Sequence, residues 1–233
     1  MSDGAHHIGV LALQGSFAEH ARALRRLGAE PVEVRLPADL NRLAGLILPG
    51  GESTTILKLM DTYGLRQPIC AAAGRGMPLL GTCAGVVCLS TQISSHRMQP
   101  LGLMDISVVR NAFGRQVESF EEDLTIAGLE GPSFRGVFIR APIIDRCGSS
   151  VEVLSRLRNG TVVACRQNDI VVTSFHPEFV DDLRVHEYFL RIVHDKGGAL
   201  NAGVADGIAG AALRGAAATA QTTHGRGCYA EPR

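Results

Sequence analysis

Apolar residues in this chain come in short, dense bursts, and the spacing inside the bursts switches between strand and helix periods. HIGVLAL (7–13) is a β-rich run of strand length. Ser16-Phe17-Ala18-Glu19 follows with the spacing of a capping box, predicting a helix. That helix carries Phe17, Ala21, Leu24 and Leu27 on one side, with His20, Arg22, Arg25 and Arg26 elsewhere, and Gly28 is its natural C-cap. EPVEVRL (30–36) alternates as a strand does. LAGLILPGGEST (43–54) reads as a buried strand entering a glycine turn, with a helix over 54–63. MPLLG (77–81) is a further buried strand that enters GTCAG, with a helix predicted from there to Gln92.

The second half is richer in strands. LMDISVVR, GVFIRAP, VEVLSRL, TVVACRQ and DIVVTSF each carry the strand pattern, and the last ends at HPEF (176–179). A helix from Asp181 to Asp195 follows, with an acidic start that suits its dipole and Gly197-Gly198 to close it. Strands alternating with helices predict an α/β fold in three layers: a mostly parallel central sheet flanked by helices, with extra antiparallel strands in the second half. The folded domain is expected over 1–198. In 199–233 alanine and glycine supply 17 of 35 residues without a strong apolar period, so this stretch reads as a mobile tail.

Composition narrows the chemistry. Apolar residues are 45% of the 233 but aromatics only 5%, so aliphatic packing must build the core. The 23 basic and 23 acidic residues cancel, which gives no electrostatic reason to expect nucleic acid or an acidic membrane. No apolar run approaches the roughly 18 residues of a membrane span, and the N-terminus lacks a secretory pattern. The six cysteines form no CxxC and no zinc-like cluster, so free thiols in a reducing cytoplasm, with no metal and no cofactor, are expected.

One cysteine stands apart. Cys83 in GTCAG (81–85) lies between an apolar strand and a helix, in the G-x-nucleophile-x-G frame of a nucleophile elbow. Side chains at the glycine positions would collide with the neighbouring strand and helix, while the turn lifts the thiol to a helix N-terminus that favours thiolate. A thiol nucleophile needs a base, and the base needs an orienting group. His176-Pro177-Glu178 offers both at a strand end, where residues i and i+2 of an extended segment face one side. No other histidine has such a setting; an ordinary loop histidine beside a solvated carboxylate is the plain alternative. In PGGEST (49–54) a Gly-Gly turn exposes backbone N–H groups, and those of Gly51 and Ala84 are candidates for an oxyanion hole. A plain tight turn is the alternative, and no Gly-Lys-Ser/Thr follows that would make it a nucleotide phosphate loop. The elbow alone also fits another cysteine-elbow α/β hydrolase, a DJ-1-like redox protein, or a catalytically silent binding subunit.

GTCAG together with SFHPE resembles the class I (triad) glutamine amidotransferases. ALQGSFAEH, GLILPGGESTT, RNAFGRQVESFE and VFIRAP bring the resemblance closer, to the glutaminase subunits of pyridoxal 5′-phosphate synthase, over residues 8–193. The resemblance implies a class I glutaminase-like fold and hydrolysis of L-glutamine through a cysteine thioester. Cys83 would be the nucleophile, His176 the base and Glu178 the orienting carboxylate. It implies glutamine contacts at Gly51, Glu52, Ser53, Arg110, Ile139 and Arg140, with a carboxylate for the α-ammonium and an arginine fork for the α-carboxylate. Either arginine alone also reads as a surface charge. The resemblance further implies that a pyridoxal 5′-phosphate synthase subunit is the ammonia acceptor, with Gln14 on the partner or channel side.

Overall fold

Every residue of the first strand after His7 is buried, which is the mark of a strand covered on both faces. The computed structural model describes residues 7–94, 98–110 and 119–196. Its strands are β1 (His7–Leu11), β2 (Glu30–Val34), β3 (Gly45–Leu48), β4 (Leu79–Thr82), β5 (Ser90–Ser94) and β6 (Met104–Val109). They continue with β7 (Ser119–Leu124), β8 (Phe134–Ile139), β9 (Ile143–Cys147), β10 (Glu152–Arg156), β11 (Val162–Gln167) and β12 (Ile170–Thr173). The helices are α1 (Phe17–Arg26), α2 (Ser53–Thr62), α3 (Arg66–Gly74), α4 (Ala84–Leu89) and a last one, α5, over 184–196.

The main sheet runs β2-β1-β3-β4-β12-β11-β9-β6-β5, with β10 pairing onto β11, and β7 and β8 form a separate hairpin. From β2 to β12 every pairing is parallel. Beyond β12 the pairings turn antiparallel, apart from β5 with β6. This is the expected fold class, with the antiparallel strands in the second half. β12 therefore sits at the junction, between β4 and β11.

The alternation of side chains builds the three layers. Leu46 and Leu48 pack in one cluster with Ile56, Leu57 and Met60 of α2, Ile69 of α3 and Val86 and Val87 of α4. Ile47, between them, belongs to the opposite cluster with Leu24 of α1, Phe189 and Val193 of α5, and Phe134, Phe138 and Phe175. Leu79 and Leu80 divide in the same way. Each fully buried Leu, Ile or Phe of these clusters contributes about 2 kcal/mol from burial alone.

Several elements differ from the sequence expectation. The helix after GTCAG ends at Leu89 rather than Gln92, because the β-prone STQIS turns directly into β5 beside β6. Helix α3, RQPICAAAG, and strands β5, β7 and β9 were not anticipated; the alanine-rich α3 and the charged SFEEDL of β7 carry weak apolar periods. The Ser16 hydroxyl makes no cap bond at the start of α1, so the capping-box reading fails there. His20 is fully buried, so the buried face of α1 includes it. Gly28 does follow the helix with φ +77°, its N–H donating to Arg25 O. The closing Gly197-Gly198 and the 199–233 tail lie outside the described residues, as do residues 111–118 of the RNAFGRQVESFE segment.

Candidate active site

The elbow at Cys83 is built by steric exclusion. Strand β4 delivers the chain between β3 and β12, and the Cys83 N–H donates to Thr173 O of β12 at 2.8 Å. Cys83 itself sits at φ 46°, ψ −101°, a strained backbone for a residue with a Cβ. The glycines around it have no alternative. A Cβ on Gly85 would stand 2.2 Å from Leu48 O, and one on Gly81 would stand 2.7 Å from Leu89 Cδ1. Two of the four non-glycine residues with positive φ among the described residues, Cys83 and Arg140, line the same cavity.

His176 follows the end of β12, and its N–H donates to Val137 O of β8. Pro177–Phe179 then forms a single 3₁₀ turn. The i, i+2 geometry of an extended segment is thus not what brings Glu178 to the ring; the tight turn folds it back. His176 Nδ1 lies 2.7 Å from Glu178 Oε1, and Ser16 Oγ donates to the same oxygen at 2.6 Å. Cys83 lines the same cavity as the ring and is among the groups that raise it. Phe179 stacks on the imidazole, with centroids 4.9 Å apart. Gly50 leaves room for it, since a Cβ there would stand 2.4 Å from His176 Cε1. Gly50 in PGGEST is therefore required by the imidazole.

Electrostatics follow from these contacts. Burial opposes a charge on His176, but hydrogen bonds and charge from Cys83 and Glu178 outweigh it and raise the imidazole to about 10. Burial likewise opposes ionisation of Glu178, yet its imidazole neighbours and Ser16 bring the carboxyl down to about 2. The pair is an ion pair at neutral pH.

A cavity of about 450 Å³ opens in front of this pair. Cys83, Ala84, His176, Gly51, Glu52, Ser53, Arg110, Ile139 and Arg140 all line it, joined by Gly15, Ser16, Gly50, Val87, Pro142 and Phe179. Gln14 stands one layer back: its Oε1 accepts from Glu52 N–H at 2.7 Å and pins the PGGEST turn. Ser16 N–H fixes the other end by donating to Gly50 O at 3.0 Å. Glu52 caps α2 through Thr54 N–H and is bridged by Arg110 Nη2 at 2.7 Å. Its carboxyl lies below the usual range: burial raises it, but Thr54 and Arg110 outweigh that. Ile139 O accepts from the Cys83 thiol at 3.9 Å. Sequence reasoning missed Ser16, Gly50 and Phe179 as neighbours of the triad geometry; only the offset of Phe179 from His176 carried a local signal.

The described cysteines, 70, 83, 88, 147 and 165, are all free thiols, while Cys228 lies outside the described residues. No described helix is long and apolar enough to cross a membrane.

Known proteins with this sequence pattern and fold agree with one another. A protein of Dehalococcoides mccartyi named pyridoxal 5′-phosphate synthase subunit PdxT is 54% identical over 187 residues, 79% of this chain and 96% of its own length. One of the same name from Roseiflexus castenholzii is 51% identical, over 79% of this chain and 99% of its own. A crystal structure of a glutamine amidotransferase superposes with a TM-score of 0.77 at 51% identity, covering 80% of this chain and 98% of that one. A putative GMP synthase protein of Thermoplasma acidophilum shares the fold alone, at 18% identity and a TM-score of 0.65, covering 86% of this chain and 100% of that one. The SNO glutamine amidotransferase family matches residues 10–195, and with that span and these relatives the chain belongs to this family.

Proposed function

We propose that this chain is the glutaminase subunit of a pyridoxal 5′-phosphate synthase. It hydrolyses L-glutamine to L-glutamate and ammonia and hands the ammonia to a synthase subunit that builds the vitamin B6 ring. The family match and the relatives named PdxT support the activity and the partner. One observation supports the residue roles above all: an imidazole with Glu178 at 2.7 Å behind it, lining one cavity with Cys83 at its strained elbow.

In this reading the Cys83 sulfur attacks the side-chain amide carbon of glutamine. The oxyanion that forms is held by backbone N–H groups of Gly51 and Ala84. The His176 imidazolium gives its proton to the departing nitrogen, so ammonia leaves and a γ-glutamyl thioester remains on Cys83. His176, now neutral, takes a proton from water as that water attacks the thioester. Collapse releases glutamate and restores the thiolate beside an imidazolium. Glu178 keeps the ring in the tautomer that presents Nε2 to the sulfur and stabilises its positive charge.

Glu52 and Arg110, side by side in the cavity wall, are complementary to the zwitterion of a free α-amino acid: the carboxylate for its ammonium, the guanidinium for its carboxylate. Ser53, Ile139 and Arg140 complete the glutamine contacts, and Gln14 supports the turn on the partner side. Ammonia that escapes to water becomes ammonium and loses its lone pair, so useful turnover requires delivery to the partner without release. Free thiols at the described cysteines support a reducing, cytoplasmic setting.

The deciding experiment measures ammonia release from glutamine by the wild type and Cys83→Ala, with and without the synthase subunit. Wild-type turnover with partner, and loss in Cys83→Ala with partner binding retained, is expected. Turnover in Cys83→Ala close to wild type removes Cys83 from the nucleophile role. A γ-glutamyl diazoketone should add its mass to Cys83; absence of any adduct favours the hydrolase or redox alternatives.

A further inference from the structure

Behind Glu178, on the side away from the cavity, the structure continues a chain of polar groups that the proposed chemistry does not use. Oxygen Oε1 is occupied by His176 and Ser16. Oxygen Oε2 is buried and has no hydrogen-bond partner; His20 Nε2 stands 3.4 Å from it. His20 comes from α1 and is fully buried. Its Nε2 also lies 3.0 Å from Thr82 Oγ1, in the residue before Cys83. Its Nδ1 lies 2.9 Å from Nε2 of His186, another fully buried histidine, from α5. His186 Nδ1 is buried and has no hydrogen-bond partner.

The placement of protons can be worked out from these contacts. Burial disfavours charge on both rings, lowering His20 and bringing His186 down to about 3, so both are neutral and each carries one proton. If His20 held its proton on Nδ1, it would donate to His186 Nε2. His186 would then keep its own proton on Nδ1, an orphaned buried N–H, and a bare His20 Nε2 lone pair would face the Glu178 carboxylate. Orphaned buried N–H groups are rarer than unfilled acceptors, and a lone pair against an anion is repulsive. The other arrangement removes both faults. His186 Nε2–H donates to His20 Nδ1, His20 Nε2–H donates to Thr82 Oγ1 with Glu178 Oε2 beside it at 3.4 Å, and only acceptor atoms, His186 Nδ1 and Glu178 Oε2, go unfilled.

From this geometry we infer that His20 is a positioning residue for Glu178, held in its Nε2–H tautomer by His186 and tying the carboxylate to the strand that carries Cys83. The inference rests on the triad reading above. Glu178 is then faced by His176 from the cavity side, by Ser16 and His20 from the α1 side and by His186 from α5, with Glu19 beside His20 on its own helix. With two donors on Oε1 and the His20 ring held beside Oε2, the carboxylate plane is fixed, and with it the direction of the His176 ring.

The test uses the full chain with its synthase subunit, comparing His20→Gln with His20→Leu. Glutamine places an N–H donor where histidine has Nε2, whereas leucine fills the space without one. Leucine should lower kcat on the order of 10-fold or more, the scale seen when supporting partners of metal-bound histidines are removed, with KM little changed. Without the donor the Glu178 carboxyl rises, so the acid limb of kcat/KM should move to higher pH in the leucine variant. Glutamine should recover most of the kcat loss and keep the limb in place. A leucine variant with wild-type kcat and an unmoved limb overturns the inference, and so does a glutamine variant that falls as far as leucine. Should the leucine variant not fold, ¹⁵N spectra of histidine-labelled wild type decide. Two neutral rings, each protonated at Nε2, are expected for His20 and His186; a proton on His20 Nδ1, or a cation on either ring at neutral pH, overturns it. That spectrum is independent of turnover, so a wild type that fails to hydrolyse glutamine sinks the functional reading alone.

Discussion

Two buried regions meet at Glu178, and histidine behaves oppositely in them. On the cavity side His176 is raised to about 10. On the inner side His20 is lowered and His186 falls to about 3. Burial pushes all three the same way. The difference lies in the partners: His176 has Cys83 and Glu178 Oε1, the latter at 2.7 Å, while Oε2 is 3.4 Å from His20 and His186 faces another imidazole. One carboxylate thus divides the site into a charged front and a neutral back. Burial by itself says nothing about a histidine's charge; the hydrogen-bonded partner decides it.

The division is broken most completely by Glu178→Gln. The amide keeps the volume but not the charge, so only Cys83 is left to oppose burial at His176. Its imidazole should fall from about 10, and kcat should drop by about 10⁴-fold, as in a triad whose carboxylate becomes an amide. NMR titration of the ring and glutamine turnover check this; a ring that stays cationic at neutral pH contradicts the account.

Acid should dissolve the same division. Glu178 is depressed in the fold to about 2 from 4.5, so its stabilisation is present above 4.5 and lost as pH falls towards 2. His186 is depressed to about 3 from 6.5, and its contribution is likewise present above 6.5 and lost as pH falls below it. His176 has the opposite sign: raised to about 10, it stabilises fully below 6.5, and that contribution fades as pH climbs through 10. Denaturant midpoints measured from pH 3 to 10 should peak between these limits; a midpoint that rises steadily into acid contradicts the assignment.

Gly50→Ala sharpens the comparison from the front alone. Its Cβ meets the His176 ring at 2.4 Å and Ser16 Oγ at 3.3 Å, both groups on the Oε1 side of Glu178. Displacing the ring by a fraction of an ångström should cost about 100-fold in kcat, with the tautomers of His20 and His186 unchanged by NMR. Ser16→Ala removes one donor from Oε1. It should cost about 1–2 kcal/mol in a thermal or urea melt and shift His176 only slightly, since Glu178 remains ionised. A loss as large as that of Glu178→Gln would make Ser16, rather than the carboxylate, the source of the front-side charge.

The front could be read from the letters and the back could not. GTCAG is a local frame whose glycines answer to local clashes, and HPE places a base and a carboxylate within one turn. Even there the geometric reason needed the fold, since a 3₁₀ turn does what an extended i, i+2 pair was expected to do. The back is assembled from residues 20, 82 and 186, and its contacts span 62 to 166 positions of sequence. No periodicity marks such pairs. His20 did carry a signal: it lies one turn from Phe17 and from Leu24, on the face of α1 that packs inward. The hydroxyl of Ser16 was expected to serve α1, and the fold turns it to the carboxylate instead. The parallel half of the sheet was legible from apolar runs, whereas β7 and β9, charged and half-exposed, were not.

The place of β12 in the sheet has a consequence for how the protein comes into being. The strand that precedes His176 inserts between β4, which precedes Cys83, and β11. During synthesis the sulfur therefore leaves the ribosome roughly ninety residues ahead of its imidazole. A growing or truncated chain that stops before β12 lacks both the strand that Cys83 N–H bonds to and His176, so under the proposed roles glutamine is spared until β12 and the residues just after it have been made.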